Sequence, residues 1–147
     1  MANNLEELRA EIGRILGVNN QHSIIVVGAG NLGRALMQNF HFKESGFRLL
    51  AAFDIAPALI GTEIAGTPVL DMAELERFVP VRRPDVAVLT VPQSAAQSMA
   101  DRLIELGIRG FWNFTNVELS SDLDGICFED VHFADSLLTL SYRITER

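Results

Sequence analysis

The chain is poor in several residue types, and each shortage closes off a class of function. It has one cysteine, Cys127, in 147 residues. That excludes an internal disulfide framework and a cysteine-rich zinc site. Its only lysine is Lys43; the other positive charges are arginines, and the net charge is -7. An acidic chain without a basic run repels the phosphate backbone, so binding to duplex DNA by this chain alone is disfavoured. Tyr142 is the only tyrosine, so no Tyr-x-x-x-Lys pair is available. No apolar run reaches membrane-spanning length, so no membrane partner is expected. The opening residues Met1-Ala2-Asn3-Asn4, with acidic residues next, resemble neither a signal nor a transit peptide. A cytoplasmic, reduced setting is the expectation. What is abundant is apolar: 48% hydrophobic against 21% charged, enough for one domain with one core.

The chain alternates short apolar runs with helical patterns. Leu5, Leu8, Ile12, Ile15 and Leu16 fall at helical spacing, with Asn4 and Glu7 as a capping pair and Gly17 as the stop. Strands are predicted at Ser23–Val27, Arg48–Phe53, Thr67–Leu70, Val86–Val91, Gly110–Phe114 and Ile126–Phe128. A glycine turn and helix fill Gly28 to Phe40, and residues 55–66 read as loop. A short helix begins at Asp71 and Glu74 and ends at Pro80. Ser94 with Gln97 predicts the cap of a helix over Ala95–Leu106, and a last helix covers about 134–144. Unbroken Val/Ile/Leu/Ala strands are buried on both faces, as in parallel sheets. The fold class is therefore α/β: a doubly wound, mostly parallel Rossmann sheet with an extra helix at each end. The divisions are an N-terminal helix (1–20), a dinucleotide-binding domain (21–131) and a C-terminal dimerisation helix (132–147).

Gly28-Ala29-Gly30-Asn31-Leu32-Gly33 is a G-x-G-x-x-G that follows a strand and opens a helix. Gly28 suits the tight turn, Gly30 the close approach of a pyrophosphate, and Gly33 the packing of helix on strand. The helix start offers N–H groups to phosphates. A purely structural turn is the plainer alternative. Asp54 ends the second strand, about twenty residues beyond Gly33, where a carboxylate accepts from ribose hydroxyls and repels a 2′-phosphate. That favours NAD(H); the plainer alternative is a cap on the turn at Pro57. Ile55 follows Asp54 at the same edge. Thr90-Val91-Pro92 and Asn113-Phe114-Thr115 close the next two strands at their carboxyl ends, where ligands bind in such sheets. Turn-making explains each of them about equally well.

Catalytic equipment is missing. His22, His41 and His132 read as surface or capping residues, not as a base beside a hydride acceptor. Cys127 is expected as a small core side chain, Met37, Met72, Met99 and Trp112 as packing, and Arg82-Arg83 as a solvated loop. The chain reads as a nucleotide receptor without chemistry and without a metal. Phe133, Leu137, Leu140 and Ile144 form one stripe on the last helix, widened by Ala134 and Leu138. Burial against a second copy is the simplest use of such a face.

The segments Val27 to Leu36, Ala52-Phe53-Asp54, Leu89-Thr90-Val91-Pro92 and Asn113-Phe114-Thr115 resemble the C-terminal half of the Rex redox-sensing transcriptional repressors. Leu5–Leu16 resembles the segment that joins the Rex DNA-binding and sensor domains, and Glu129 to Tyr142 the Rex C-terminal helix. The resemblance implies a homodimer that senses the NADH/NAD ratio, a C-terminal helix swapped between subunits, and Phe133 near the partner's nicotinamide. It also implies a winged-helix DNA reader that this chain does not contain, so a DNA-binding partner or a missing domain would supply it. Four positions depart from the family pattern: Asn39 and His132 stand where a tyrosine and an aspartate are usual, Ala56 replaces a second carboxylate, and Asn116 replaces a proline. The unit is also similar, more distantly, to CoA-binding Rossmann domains of acyl-CoA ligases, the alternative reading. Asp54 discriminates, because CoA carries a 3′-phosphate on its ribose. A small oxidoreductase is a third reading, disfavoured by the missing base.

Overall fold

A computed structural model describes residues 22–145; the predicted helix over 5–16 lies outside them. The side chains of 133–136 and 138 are likewise outside the description. The elements run β1 His22–Val27, α1 Asn31–Asn39, β2 Phe47–Asp54, β3 Glu63–Ile64, β4 Thr67–Asp71, a 3-10 turn Met72–Glu74, α2 Leu75–Arg82, β5 Val86–Leu89, α3 Gln93–Leu106, β6 Gly110–Asn113, β7 Cys127–Asp130 and α4 Phe133–Thr145. One seven-stranded sheet has the order β3-β4-β2-β1-β5-β6-β7. Every pairing is parallel except β3 with β4. This is the doubly wound α/β class expected from the unbroken apolar strands, with its order reversing at β1.

Alternation along each strand sends side chains to two cores. Ile25, Val27, Ala51, Phe53, Ala87 and Leu89 pack under α2 and α3 with Leu75, Val79, Ala96, Ala100 and Leu103. Ile24, Val26, Ala52, Val69 and Val88 face the other way, with Met37 of α1. Between Ile24 and Ile25 the register against β2 shifts by one residue: Ile24 pairs with Leu49 and Ile25 with Ala51. Leu50 is the extra residue of this bulge.

Several boundaries differ from expectation. The loop 55–66 contains the two-residue strand β3, which pairs with Thr67 and Pro68. The third clear strand stops at Leu89, because Val91-Pro92 turns into α3. Pro80 does not end its helix; it lies inside α2, which closes at Arg83 in the left-handed region (φ 49). Pro84 explains the stop, since the residue before a proline avoids the helical region. Arg82 is therefore helical, with its guanidinium 5.5 Å from the Phe78 ring centroid. Helix α3 starts at Gln93 with Pro92 as N-cap and no side-chain cap, so the predicted Ser94–Gln97 cap is not formed. Gln97 instead reaches Asp101 and the backbone of Ser120. The last strand is Cys127–Asp130, and Cys127 is exposed rather than core, because β7 is the edge of the sheet. Asp71 does cap as expected, accepting from the Ala73 amide at 3.0 Å.

Candidate functional site

The glycine turn leaves the carboxyl end of β1 between its two neighbours, β2 and β5. Gly28 has φ +101, and a Cβ there would stand 2.7 Å from the Thr90 hydroxyl. A Cβ on Gly33 would overlap the Gly28 carbonyl oxygen. These two glycines are demanded by the chain's own packing. Gly30 is different: a Cβ there would meet nothing within 4 Å. It is the N-cap of α1, no side chain caps that helix, and its first turn carries no acidic residue. The N–H groups of a first helical turn have no partner within the helix, so this end presents donors and a positive dipole to open space.

Asp54 stands half-buried at the carboxyl end of β2. One carboxylate oxygen accepts from the Ala29 amide at 2.6 Å and the other from the Ala56 amide at 2.8 Å. It thus holds the glycine turn and caps its own turn together. Ile55 beside it is 75% exposed and Leu32 across the turn 37%, two apolar groups at the rim. Thr90 follows β5; its hydroxyl donates to the Gly28 carbonyl and lies 3.2 Å from that of Val27. Val91 is buried and Pro92 exposed.

The carboxyl ends of β6 and β7 form a second cluster. Asn113 is buried; its amide donates to Val117 O at 2.7 Å and to Asp130 at 2.9 Å. Its carbonyl accepts from the Thr115 amide at 3.0 Å and hydroxyl at 2.6 Å. The side-chain polar groups of Asn113 and Thr115 are thus engaged within the chain, and Phe114 packs edge-on against Trp112. A cavity of about 400 Å³ bounded by Asn113, Asn116, Glu118, Asp130 and His132 opens beside them. Asp130 was not singled out by sequence; nothing in its spacing from Asn113 signals the pairing. A cavity of about 840 Å³ lies at the other end of the sheet, among His22, Asp85, Val86, Gly110 and Cys127. It is far from the glycine turn, and in sheets of this order ligands bind at the carboxyl ends. Among the described residues no group of three His, Cys, Asp or Glu is placed to hold a metal, and no helix is long and apolar enough to cross a membrane.

Residues 19–117 match the family model described as the CoA binding domain. The redox-sensing transcriptional repressor Rex of Caldanaerobacter subterraneus subsp. tengcongensis is 41% identical over 97% of this chain and 63% of its own length. The Rex of Clostridioides difficile is 41% identical over 97% of this chain and 68% of its own. Among solved structures, RSP, a Rex-family repressor, in complex with β-NADH superposes with TM-score 0.86 at 40% identity, covering 96% of this chain and 68% of that one. RSP with β-NAD+ and operator DNA gives TM-score 0.85 at 40% identity, covering 96% and 64%. The chain belongs to the CoA-binding-domain family and to the Rex family. It spans less than two thirds of the length of the first Rex relatives.

Of the four positions singled out in the sequence, Ala56, Asn116 and His132 follow the carboxyl ends of β2, β6 and β7, and Asn39 lies at the far end of α1. Asn39 ends α1, exposed, with its amide on the Ala35 carbonyl at 3.0 Å. Ala56 contributes its backbone N–H to Asp54. Asn116 adopts φ 60, a left-handed conformation closed to proline. His132 lies exposed just before α4. Phe133 opens α4, and its side chain lies outside the description. Leu137, Leu140 and Ile144 of the predicted stripe are all exposed.

Proposed function

We propose that this chain is the NAD(H)-binding, ratio-sensing module of a Rex-type repressor, with no catalytic step of its own. The observation that carries the reading is Gly30: the fold does not need it, yet it opens a path to the uncapped start of α1. A pyrophosphate would take the amides of Gly30 to Gly33, since those of Gly28 and Ala29 are held by Phe53 and Asp54, and Asp54 would accept from the adenosine ribose beside Ile55. Asp54 already accepts two amides, and carboxylate oxygens keep further lone pairs for hydroxyl donors. The Thr90–Pro92 and Asn113–Thr115 segments would border the nicotinamide half, the latter by shape, since its polar side-chain groups are engaged. The Rex relatives and the RSP complexes with NADH and NAD+ support the same cofactor.

The exposed stripe on α4 supports a homodimer formed through that helix, with Phe133 reaching the partner's nicotinamide site. DNA reading would belong to a winged-helix domain or partner outside this chain; the net charge of -7 supports no direct contact. The setting would be cytoplasmic. Titration with NADH, NAD, NADPH and CoA tests the reading. NADH and NAD should bind, NADPH more weakly, and Gly30→Ala should lose at least tenfold in NADH affinity while melting as the wild type does. Tight CoA binding without NADH binding favours the CoA-domain alternative, which the family-model match to residues 19–117 supports.

A further inference from the structure

The threonine after β5 turns its hydroxyl onto the backbone of the glycine turn. Its hydroxyl donates to the Gly28 carbonyl, and its amide to the Val27 carbonyl at 3.0 Å. On the opposite flank, Asp54 accepts from the Ala29 amide at 2.6 Å. The Gly28 carbonyl and the Ala29 N–H belong to one peptide unit. That plane is held at its oxygen from β5 and at its N–H from β2. Rotating the peptide would turn its oxygen toward the Asp54 carboxylate and its N–H toward a hydroxyl that now donates.

We propose that Thr90 and Asp54 lock the Gly28–Ala29 peptide plane, and that Thr90 is a positioning residue acting on the cofactor through the turn rather than by touching its nicotinamide half. The role rests on the NAD(H) reading above. The locked plane immediately precedes Gly30 and the first amides of α1, so its orientation decides where those donors point. The hydroxyl also fills the space the two structural glycines leave: a Cβ on Gly28 or Gly33 would lie 2.7 or 3.1 Å from it. Valine keeps the shape of threonine and loses the donor; serine keeps the donor.

The test compares wild type, Thr90→Ser and Thr90→Val in titrations with NADH and with ADP, which carries the pyrophosphate but no nicotinamide. Thr90→Val should weaken both ligands by a similar factor, about tenfold, the loss of one hydrogen bond. Thr90→Ser should stay within roughly threefold of wild type on the same scale. Without ligand, hydrogen exchange over residues 28–33 should be faster in Thr90→Val, with β1 and β5 unchanged. A loss confined to NADH would make Thr90 a direct contact to the nicotinamide half and overturn the proposal. So would a serine variant as weak as the valine one, or unaltered exchange in the turn. If the wild type binds neither nucleotide, the NAD(H) reading fails, and the exchange result alone upholds or overturns the lock.

Discussion

At the carboxyl ends of β1 and β5 the chain spends side chains on holding a turn whose helical amides are left uncapped. At the carboxyl ends of β6 and β7, Asn113, Thr115 and Asp130 satisfy one another and the backbone around them. The two clusters share one edge of one sheet, but the first borders a helix start that no side chain caps, whereas in the second the side chains pair with one another. Polar residues at a strand end are therefore poor guides to binding by themselves, because they can be consumed by pairing within the chain. Buried polar groups must be paired, and the second cluster shows that pairing completed inside the protein.

The sharpest way to break this contrast lies within the glycine turn. Gly33→Ala should cost about 3 kcal/mol or more, a fall of roughly 10 °C in Tm, because its Cβ overlaps backbone. Circular dichroism melts of Gly33→Ala beside Gly30→Ala check it; equal melting of the two would erase the distinction between structural and functional glycines. Next, Asn113→Ala should cost about 2 kcal/mol by stranding the groups it pairs. Urea denaturation should show that loss while NADH affinity of the folded protein changes little. A large affinity loss with normal stability would move the binding edge to β6. Asp54→Ala should weaken NADH about ten- to a hundredfold, as expected for hydrogen bonds to a charged group. Calorimetry that finds unchanged affinity would reduce Asp54 to a turn cap.

The smallest effect concerns a pair remote from both clusters. Arg102 holds Glu76 with two bonds of 2.6 and 2.5 Å and also donates to the Met72 carbonyl at 3.0 Å. That hydrogen bonding keeps the Glu76 carboxyl below its usual range, with partial desolvation opposing it. A lowered folded pKa means that the contribution is present above the unfolded value and is lost as pH falls through the folded one. The pair is substantially solvent-exposed, so Glu76→Gln should cost under about 1 kcal/mol at neutral pH and less in acid. Melts at the two pH values check the sign; a larger penalty at acid pH would contradict it.

Much of this was legible from residue order. Unbroken Ile24-Ile25-Val26-Val27 and Ala87-Val88-Leu89 could only be buried strands, and the glycine spacing marked the crossing from β1 to α1. Punctuation misled in specific places. Pro80 is carried inside α2 because Pro84 supplies a stronger stop, and Pro92 opens α3 before Ser94 is reached. Cys127 has a core-like type but an edge position, which composition does not encode. In the candidate site, residue types identified Gly28, Gly33 and Asp54. The partner of Asn113 is separated by seventeen positions and was invisible, because long-range pairing follows from strand register. The direction of the Thr90 hydroxyl was equally hidden: a strand-end threonine reads the same whether it faces ligand or backbone.

The bulge in β2 bears on how the chain tolerates gain and loss of residues. Leu50 and Ala51 are neighbours, yet both belong to the core under α2 and α3, while Leu49 and Ala52 on either side belong to the other core. A one-residue deletion in a central strand ordinarily inverts every side chain on one side of the cut. Removing Leu50 would leave Leu49, Ala51, Ala52 and Phe53 alternating as they already do, each on its present face, with Asp54 still opposite the turn. The middle of the sheet thus holds a point at which the strand can change length without changing sides.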